Sequence, residues 1–463
     1  RTPSWSPDGR WIARFSDALG EYRLVITDQF GDDARLIELD DPTFYYTPAW
    51  SPDSKHLAFT DNDRTLFVVE VSTGEVRRVD NAGFATPTRV IYPAWSPDSR
   101  WIAYTRRLDN QFNAIFVYSL ETGERHQITD GMADVRYPAW DASGRHLAFM
   151  ASTDYGLNVG WLDMSSYERP LNHRLYLAVL DADDPSPLAP ESDEEKVEQA
   201  KAKEEEDKAE QTKKNDDDRE EETTPVEIDF EGLARRIVAT GVPAGSYQAL
   251  LPGEKGVFFY LEQVENGPGA TLHRYDLDER ESEEIATGLT GFDVSADGSK
   301  LLLARTGNAF AIADAQGKPS PEEGKLDLSG MKMKVDPQQE WEQIFTEAWR
   351  FQRDFFYVEN VHGLDMDWAY EAYRPWVDHV RHRSDLTYVL DILGGETAVG
   401  HSFTGGGDLP DVDTVPVGLL GADFEEADGR FRITRIYTGE SWNPDLRAPL
   451  SGPGLDIDEG DYL

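Results

Sequence analysis

A thirteen-residue motif recurs at a fixed interval along the first third of the chain. Its copies are PSWSPDGRWIARF, PAWSPDSKHLAFT, PAWSPDSRWIAYT and PAWDASGRHLAFM, and their tryptophans, each 45 residues after the last, are Trp5, Trp50, Trp95 and Trp140. Two weaker copies, QALLPGEKGVFFY and DVSADGSKLLLAR, place Leu250 and Val294 at the tryptophan position. A period of this length indicates a repeated supersecondary unit.

Each repeat is predicted to form four short antiparallel strands. The Ser-Pro-Asp-Gly segment is typical of a turn, because proline presets φ and Asp and Gly tolerate the rest of the geometry. Apolar runs such as 56–59 and 65–69 indicate strands, and a Thr-Gly-Glu turn at 73–75 leads into the fourth strand. Such a unit is one β-propeller blade. We therefore predict a mainly β fold over residues 1–335, with six readable blades and a seventh expected upstream of Arg1.

The periodic tryptophans have two interpretations. They could stack on a ligand, or they could fill the wedge between adjacent blades. Their strict spacing favours the wedge, and a propeller by itself indicates a scaffold, a docking surface or a channel rather than any chemistry.

The fourth repeat is followed by a run of charge. Residues 191–222 contain 16 acidic and 7 basic side chains and show no hydrophobic periodicity. We predict that 191–225 is a disordered, solvated loop between strands of the fourth blade. A partner-binding segment is the alternative interpretation.

The acidity extends over the rest of the chain as well. The formal net charge is −43, and −34 remains when the run, with its −9, is set aside. Such a surface repels phosphate, which argues against nucleic acid and against an anionic membrane as partners. Only 13 lysines occur, and a diffuse acidic surface poor in lysine favours a salt-loving source over an ordinary acidic protein.

Several kinds of chemistry have no support in the sequence. The chain has no cysteine, so disulfides and thiolate sites are excluded. No segment has the run of about 18 uncharged apolar residues that a membrane-spanning helix needs. The H-E-x-x-H, P-loop and G-x-S-x-G motifs are also missing. We predict no metal and no cofactor.

Residues 336–408 have a helical pattern. Asp336 is the predicted N-cap of a first helix, with Pro337 at its first position and Gln339 in a capping-box-like place. The apolar residues that share one face of this helix are Trp341, Ile344, Phe345, Ala348, Phe355 and Phe356. A second helix around 368–373 is expected to kink or end at Pro375. A third is predicted to begin with Ser384 as N-cap and to end at Gly394-Gly395.

One histidine follows this third helix. His401 precedes a triple glycine in the segment VGHSFTGGGD, so we expect it on an exposed turn, which is a suitable place for a general base. Spacing alone supports that role weakly. His379 and His382 are three residues apart, but no carboxylate-rich metal motif accompanies them, and we predict a surface pair.

The pattern becomes β again in residues 416–463. Two alternating strands are joined by Asp428-Gly429, which is a strong hairpin signal. A Gly-Leu-Leu-Gly element before a strand, followed by a glycine-rich loop, resembles a PDZ domain, a module that captures peptides by strand addition. We expect it to be cut before its helix and last strands.

The order of these parts resembles the tricorn protease family. WSPDG blades like those of TolB precede EWEQIFTEAWRFQRDFFYVENVHGLDMDW, then VGHSFTGGGD, then VGLLGADF and GPGLDIDEGDYL. The resemblance implies a serine peptidase that degrades short peptides from larger proteases and assembles as a hexamer. It implies that His401 is the general base and that the nucleophilic serine and orienting glutamate lie downstream of Leu463. Substrate-binding residues remain unknown.

Both chain ends look like cuts through a longer protein. No signal peptide is visible after Arg1, and a cytoplasmic location is expected. The fragment alone is therefore expected to be inactive. One position departs from the family pattern: Gly400 stands where the archaeal prototype has a helper serine. Either the helper is dispensable or the hydroxyl of Ser402 replaces it.

Three other classes share parts of this pattern. A non-enzymatic TolB-like propeller with a PDZ module would be an adaptor. A prolyl-oligopeptidase-type hydrolase has similar blades but would continue into a G-x-S-x-G domain. A carboxy-terminal processing protease shares the PDZ module and the serine chemistry but lacks the propeller.

Overall fold

The structure is a computed structural model that describes residues 1–83, 91–154, 171–190, 225–264, 267, 269–320, 323–409 and 412–463. The predicted disordered loop 191–225 lies outside the described residues, apart from Pro225. It falls between the last two strands of the fourth sheet, as the repeat pattern places it.

The first four repeats form four sheets, each with four antiparallel strands in chain order. The first contains β1 (Ser4–Trp5), β2 (Trp11–Ser16), β3 (Arg23–Asp28) and β4 (Arg35–Ile37). The second contains β5 (Tyr45–Trp50), β6 (His56–Asp61), β7 (Thr65–Glu70) and β8 (Val76–Asn81). The third contains β9 (Ala94–Trp95), β10 (Trp101–Arg107), β11 (Asn113–Ser119) and β12 (Arg125–Gln127). The fourth contains β13 (Asp134–Trp140), β14 (His146–Ser152), β15 (Arg174–Val179) and β16 (Ile237–Ala239).

The fifth sheet differs from the prediction because it joins two repeats. Its strands are β17 (Tyr247–Pro252), β18 (Val257–Gln263), β19 (Ala270–Asp276), β20 (Glu281–Val294), β21 (Lys300–Arg305) and β22 (Ala309–Asp314). The first half of β20 pairs with β19 and the second half with β21, so one continuous strand serves both repeats. The mainly β propeller is confirmed, but the described part of residues 1–335 forms five sheets where six separate blades were predicted.

The repeated tryptophans connect neighbouring sheets. The indole Nε1 of Trp50, Trp95 and Trp140 donates to a backbone oxygen 46 residues earlier, at 3.1, 3.0 and 2.9 Å respectively. Trp50 and Trp140 are buried within apolar clusters, and Trp95 packs against a third cluster. The wedge interpretation is therefore confirmed for these three. Trp5 differs, because its side chain is more than half exposed.

Three α-helices follow the strands: α1 (Pro337–Phe355), α2 (Met366–Val377) and α3 (Arg383–Gly395). The Asp336 side chain accepts from the Gln338 amide at 3.1 Å, which confirms it as the N-cap of α1. A kink or an end was predicted at Pro375, and the end is wrong because α2 continues two residues beyond it. Pro375 has no amide hydrogen to donate to the Glu371 carbonyl, so one hydrogen bond of the last turn is missing while the helix continues.

The start of α3 was also predicted wrongly. His382, not Ser384, is the N-cap: its Nδ1 accepts from the Ser384 amide at 3.2 Å, and the Asp385 carboxylate accepts from the His382 amide at 3.0 Å. This is a capping box in which an imidazole takes the place of the usual hydroxyl or carboxylate. The three helices share one apolar cluster of buried residues, which is Phe345, Trp349, Ala369, Val377, Val380, Leu386, Val389, Leu390 and Leu393.

The predicted hairpin near the C-terminus is present. β23 (Ala422–Ala427) and β24 (Arg430–Ile436) pair antiparallel, and both turn residues, Asp428 and Gly429, have positive φ, as a tight hairpin turn requires. A short 3₁₀ turn, Pro449–Ser451, and a bridge between Arg432 and Tyr462 complete this region. No helix in the described ranges has the length and apolarity to cross a bilayer.

Candidate active site

The backbone after α3 is anchored to the end of that helix. Thr397 is buried, and its hydroxyl donates to the Gly394 carbonyl at 2.8 Å. The Ala398 amide donates to the Gly395 carbonyl at 3.0 Å. Ala398 then takes a positive φ of 55°, which turns the chain away from the helix axis.

This turn exposes the His401 side chain. The residue is exposed and has a φ of 67°, in the left-handed region that few non-glycine residues adopt. Such conformations persist where the surrounding structure imposes them, and they cluster at functional sites. Within the described part of the chain the imidazole has no hydrogen-bond partner, and its nearest aromatic neighbour is the Phe403 ring, 6.0 Å away between centroids. The ring is thus available to a group that approaches from outside.

The segment beyond His401 folds back along α3. A Cβ on Gly394 would lie 2.5 Å from Ser402 Oγ, and a Cβ on Gly407 would collide with the Arg383 side chain. The two glycines therefore let the segment contact both ends of the helix. Residues 383 and 394 are about 17 Å apart along a helix, and residues 402 and 407 span about the same length when extended. Of the triple glycine, Gly407 is therefore required by this packing, whereas a Cβ on Gly405 or Gly406 would meet nothing within 4 Å.

A second contact fixes the same turn from the other side. The His362 Nδ1 lies 3.3 Å from the Thr397 carbonyl oxygen, and its Nε2 is hydrogen-bonded to the Tyr357 hydroxyl. Val361, His362 and Gly363 all have positive φ, which is a rare succession. Sequence reasoning missed this contact. The only signal was His-Gly before the second helix, which indicates a turn but not its neighbour.

The tyrosine and glutamate beside the turn are also paired. Tyr373 donates to the Glu396 carboxylate, and this hydrogen bond raises the pKa of Tyr373. The Glu396 side chain is thereby bound to a residue of α2, and among the described contacts it has no hydrogen bond to His401. It has no evident role in proton transfer with His401.

The other candidates remain apart from His401. His379 and His382 are exposed, and His382 caps α3. In the described residues no hydrogen bond joins Ser402 to His401, and no group of three or more His, Asp or Glu is arranged to hold a metal ion.

The helical unit is held against the first blades by ion pairs. The buried Arg350 contacts Asp17 at 2.6 Å and also donates to the Gly20 carbonyl. Arg353 contacts Glu21 at 2.8 Å. Burial alone would raise the pKa of Asp17, but hydrogen bonds from Gln343 and Arg350 lower it. The position of the histidine turn relative to the propeller thus depends on α1.

The chain combines a propeller built from sequence repeats, a three-helix unit followed by an exposed histidine, and a hairpin region. This combination defines a multidomain β-propeller protein. Three family models match consecutive parts of it: the tricorn protease second β-propeller domain at residues 1–316, the tricorn protease C1 domain at 337–395 and the tricorn protease PDZ domain at 418–463. The chain belongs to the tricorn protease family. The resemblance in the sequence motifs is confirmed, although His401 itself lies between two matched ranges.

Relatives and a solved structure agree with this assignment. Tricorn protease homolog 1 of Streptomyces coelicolor is 28% identical over 98% of this chain and 43% of its own length. The tricorn protease of Thermoplasma volcanium is 25% identical over 98% of this chain and 44% of its own. A crystal structure of the tricorn protease matches the whole chain with a TM-score of 0.71 at 20% identity, covering 43% of that chain, which shows a shared fold. The chain spans less than half the length of these relatives.

Proposed function

We propose that the whole protein is a serine peptidase that degrades short peptides, and that His401 is its general base. The observation that carries the proposal is the left-handed, solvent-facing His401 on a turn that Thr397 anchors. In the reaction, His401 takes the proton from a serine hydroxyl as the oxygen attacks the peptide carbonyl, and then gives it to the leaving amine. The serine would come from the remainder of the protein.

We also propose that the chain is divided into three units. Residues 1–335 would form the propeller, 336–408 the helical catalytic unit and 416–463 the PDZ-like region. We further propose a cytoplasmic protein, a homo-oligomer, hexameric by family resemblance, and peptide substrates as its partners. The 463-residue chain alone would be inactive, because it would lack the nucleophile.

The test is a peptidase assay on the full-length parent protein with short fluorogenic peptides. We expect His401→Ala to lower kcat by about a thousandfold or more, as loss of a triad base does. The matched control is His379→Ala, an exposed histidine of the same helical unit, which should stay within about twofold of wild type.

Full activity in the His401→Ala protein would contradict the site assignment. If the parent protein has no peptidase activity at all, the propeller and PDZ-like region would instead be an adaptor that binds peptides without cleaving them.

A further inference from the structure

The peptide group between Thr397 and Ala398 is held from both sides. Its carbonyl oxygen lies 3.3 Å from His362 Nδ1, and its N–H donates to the Gly395 carbonyl at 3.0 Å. Because a peptide group is planar, these two contacts together fix the orientation of the whole group. The positive φ of Ala398, 55°, then sets the direction in which the chain continues toward His401.

The loop that contains His401 begins and ends at one glycine of α3. The Thr397 hydroxyl donates to the Gly394 carbonyl at 2.8 Å, and Ser402 Oγ lies 2.5 Å from where a Cβ on Gly394 would be. Residues 398–400 link the first of these anchors to His401, and Ser402 follows it directly. The direction of the histidine therefore depends on how the link starts, which is at the peptide group that is held from both sides.

The hydrogen bonds of His362 have one consistent arrangement. A carbonyl oxygen can only accept, so the contact with Thr397 places a ring hydrogen on Nδ1. In a neutral ring Nε2 is then the acceptor for the Tyr357 hydroxyl. The rings of Phe356 and Tyr357 lie edge-on to the imidazole, with centroids 5.1 and 5.3 Å away. These neighbours hold the imidazole with Nδ1 toward the loop.

The backbone that carries His362 is strained, as is that of the loop it contacts. Val361 and His362 have φ of 43° and 56°, and a positive φ is a marked outlier for a β-branched residue such as valine. Val361 is buried, its amide donates to the Val358 carbonyl at 3.0 Å, and its carbonyl accepts from the Leu364 amide at 3.1 Å. Strained residues persist only where their surroundings impose the conformation, and they cluster at functional sites. Here the strained segment is the one that directs the imidazole to Thr397.

We propose that His362 is a positioning residue for His401. It acts through the peptide group after Thr397, and it neither contacts the substrate nor exchanges a proton with His401. The inference rests on the function proposed above, in which His401 is the general base. A base that is displaced from the reacting hydroxyl transfers its proton less efficiently, because small misplacements of a catalytic group lower the rate strongly.

The first test compares two substitutions of His362 in the full-length parent protein. Glycine and asparagine both accept a positive φ, but only asparagine keeps an N–H near the position of Nδ1. We expect His362→Gly to lower kcat about tenfold and to leave KM within about twofold of wild type. His362→Asn should recover kcat to within about threefold of wild type. His379→Ala, at an exposed histidine of the same helical unit, is the control and should stay within about twofold.

The second test requires no peptidase activity. Hydrogen exchange of the 463-residue chain is followed by mass spectrometry in wild type and in His362→Gly. We expect residues 396–403 to exchange about fivefold faster in the variant, because the loop has lost one hydrogen bond. Residues 386–393 of α3 should exchange as in wild type. This difference separates the positioning of the loop from a general loss of stability.

Two results would overturn the positioning role. One is an unchanged kcat in His362→Gly when His401→Ala inactivates the parent protein, a result that would leave His401 as the base. The other is exchange in residues 396–403 that does not increase, or that increases equally in residues 386–393. A fully active His401→Ala protein would instead overturn the proposed function and with it the catalytic part of this inference.

Discussion

Individual buried side chains in the propeller have altered proton affinities. His173 is 3% exposed, and burial lowers its pKa to about 4. Asp61 is 5% exposed, and burial raises its pKa to about 6. The two shifts act in opposite directions as the pH falls. The folded protein resists protonating His173, which costs stability below pH 6.5, whereas it favours protonating Asp61, which restores stability as the pH falls through about 6.

The shift of His173 predicts a pH-dependent loss of stability. Between pH 7 and pH 5 the unfolded chain takes up a proton at His173 that the folded chain does not, which lowers the free energy of unfolding by about 2 kcal/mol. We expect the unfolding free energy at pH 5 minus that at pH 7 to be about 2 kcal/mol more positive in His173→Gln than in wild type. Urea unfolding at both pH values measures it, and the difference between variant and wild type cancels the contribution of Asp61.

His379→Gln is the control for this measurement, because His379 is exposed. It should show the same pH dependence as wild type. An equal dependence in His173→Gln would contradict the assignment of the shift to His173.

At the level of elements, the features that depend on a few neighbouring residues were predicted correctly, whereas two helix ends were not. The Asp336 cap and the Asp428-Gly429 turn depend on a few neighbouring residues, and both are confirmed. The start of α3 was missed because a histidine cap is not a common signal. The end of α2 was missed because Pro375 interrupts only the last turn.

The docking of α1 on the propeller depends on one buried arginine. Arg350 faces three carboxylates, those of Asp17, Glu21 and Glu347. Removing a buried charge leaves its partners uncompensated, which costs several kcal/mol. The hydrogen bonds lower the pKa of Asp17, so its contribution is present above its ordinary pKa and is lost as the pH falls through the lowered one.

We predict that Arg350→Met weakens the docking of the helical unit by about 3 kcal/mol. The readout is hydrogen exchange in α1 and in the first sheet, which should increase together. Arg374→Met is the matched control, because Arg374 pairs with Glu342 and Asp378 at the surface, and such pairs contribute about 1 kcal/mol or less. Equal effects of the two substitutions would show that the buried contacts do not hold the unit.

For the whole molecule, the distributed charge is the dominant feature. The chain has 88 acidic and 45 basic residues, so acidic side chains outnumber basic ones by 43. Excess like charge destabilises a compact state through self-repulsion, which salt screens. A salt-loving source remains our proposal for this composition.

We predict that the melting temperature rises by about 10 °C when KCl is increased from 0.15 M to 2 M, because screening removes repulsion among the surface carboxylates. Differential scanning fluorimetry measures it. Sucrose at matched water activity is the control, since it strengthens burial without screening charge. A melting temperature that is constant or lower in KCl would contradict the interpretation of the acidic surface.

The sequence by itself determined the blade architecture, the helical unit and the place of His401 after a helix, because periodicity, caps and glycines act over a few residues. It also carried the resemblance to the family that the comparisons confirmed. Only the tertiary structure decided that β20 joins two repeats and that His362 contacts the turn before His401. Each of these depends on side chains or strands that are distant in sequence, whose direction and pairing are set by packing and not by local pattern.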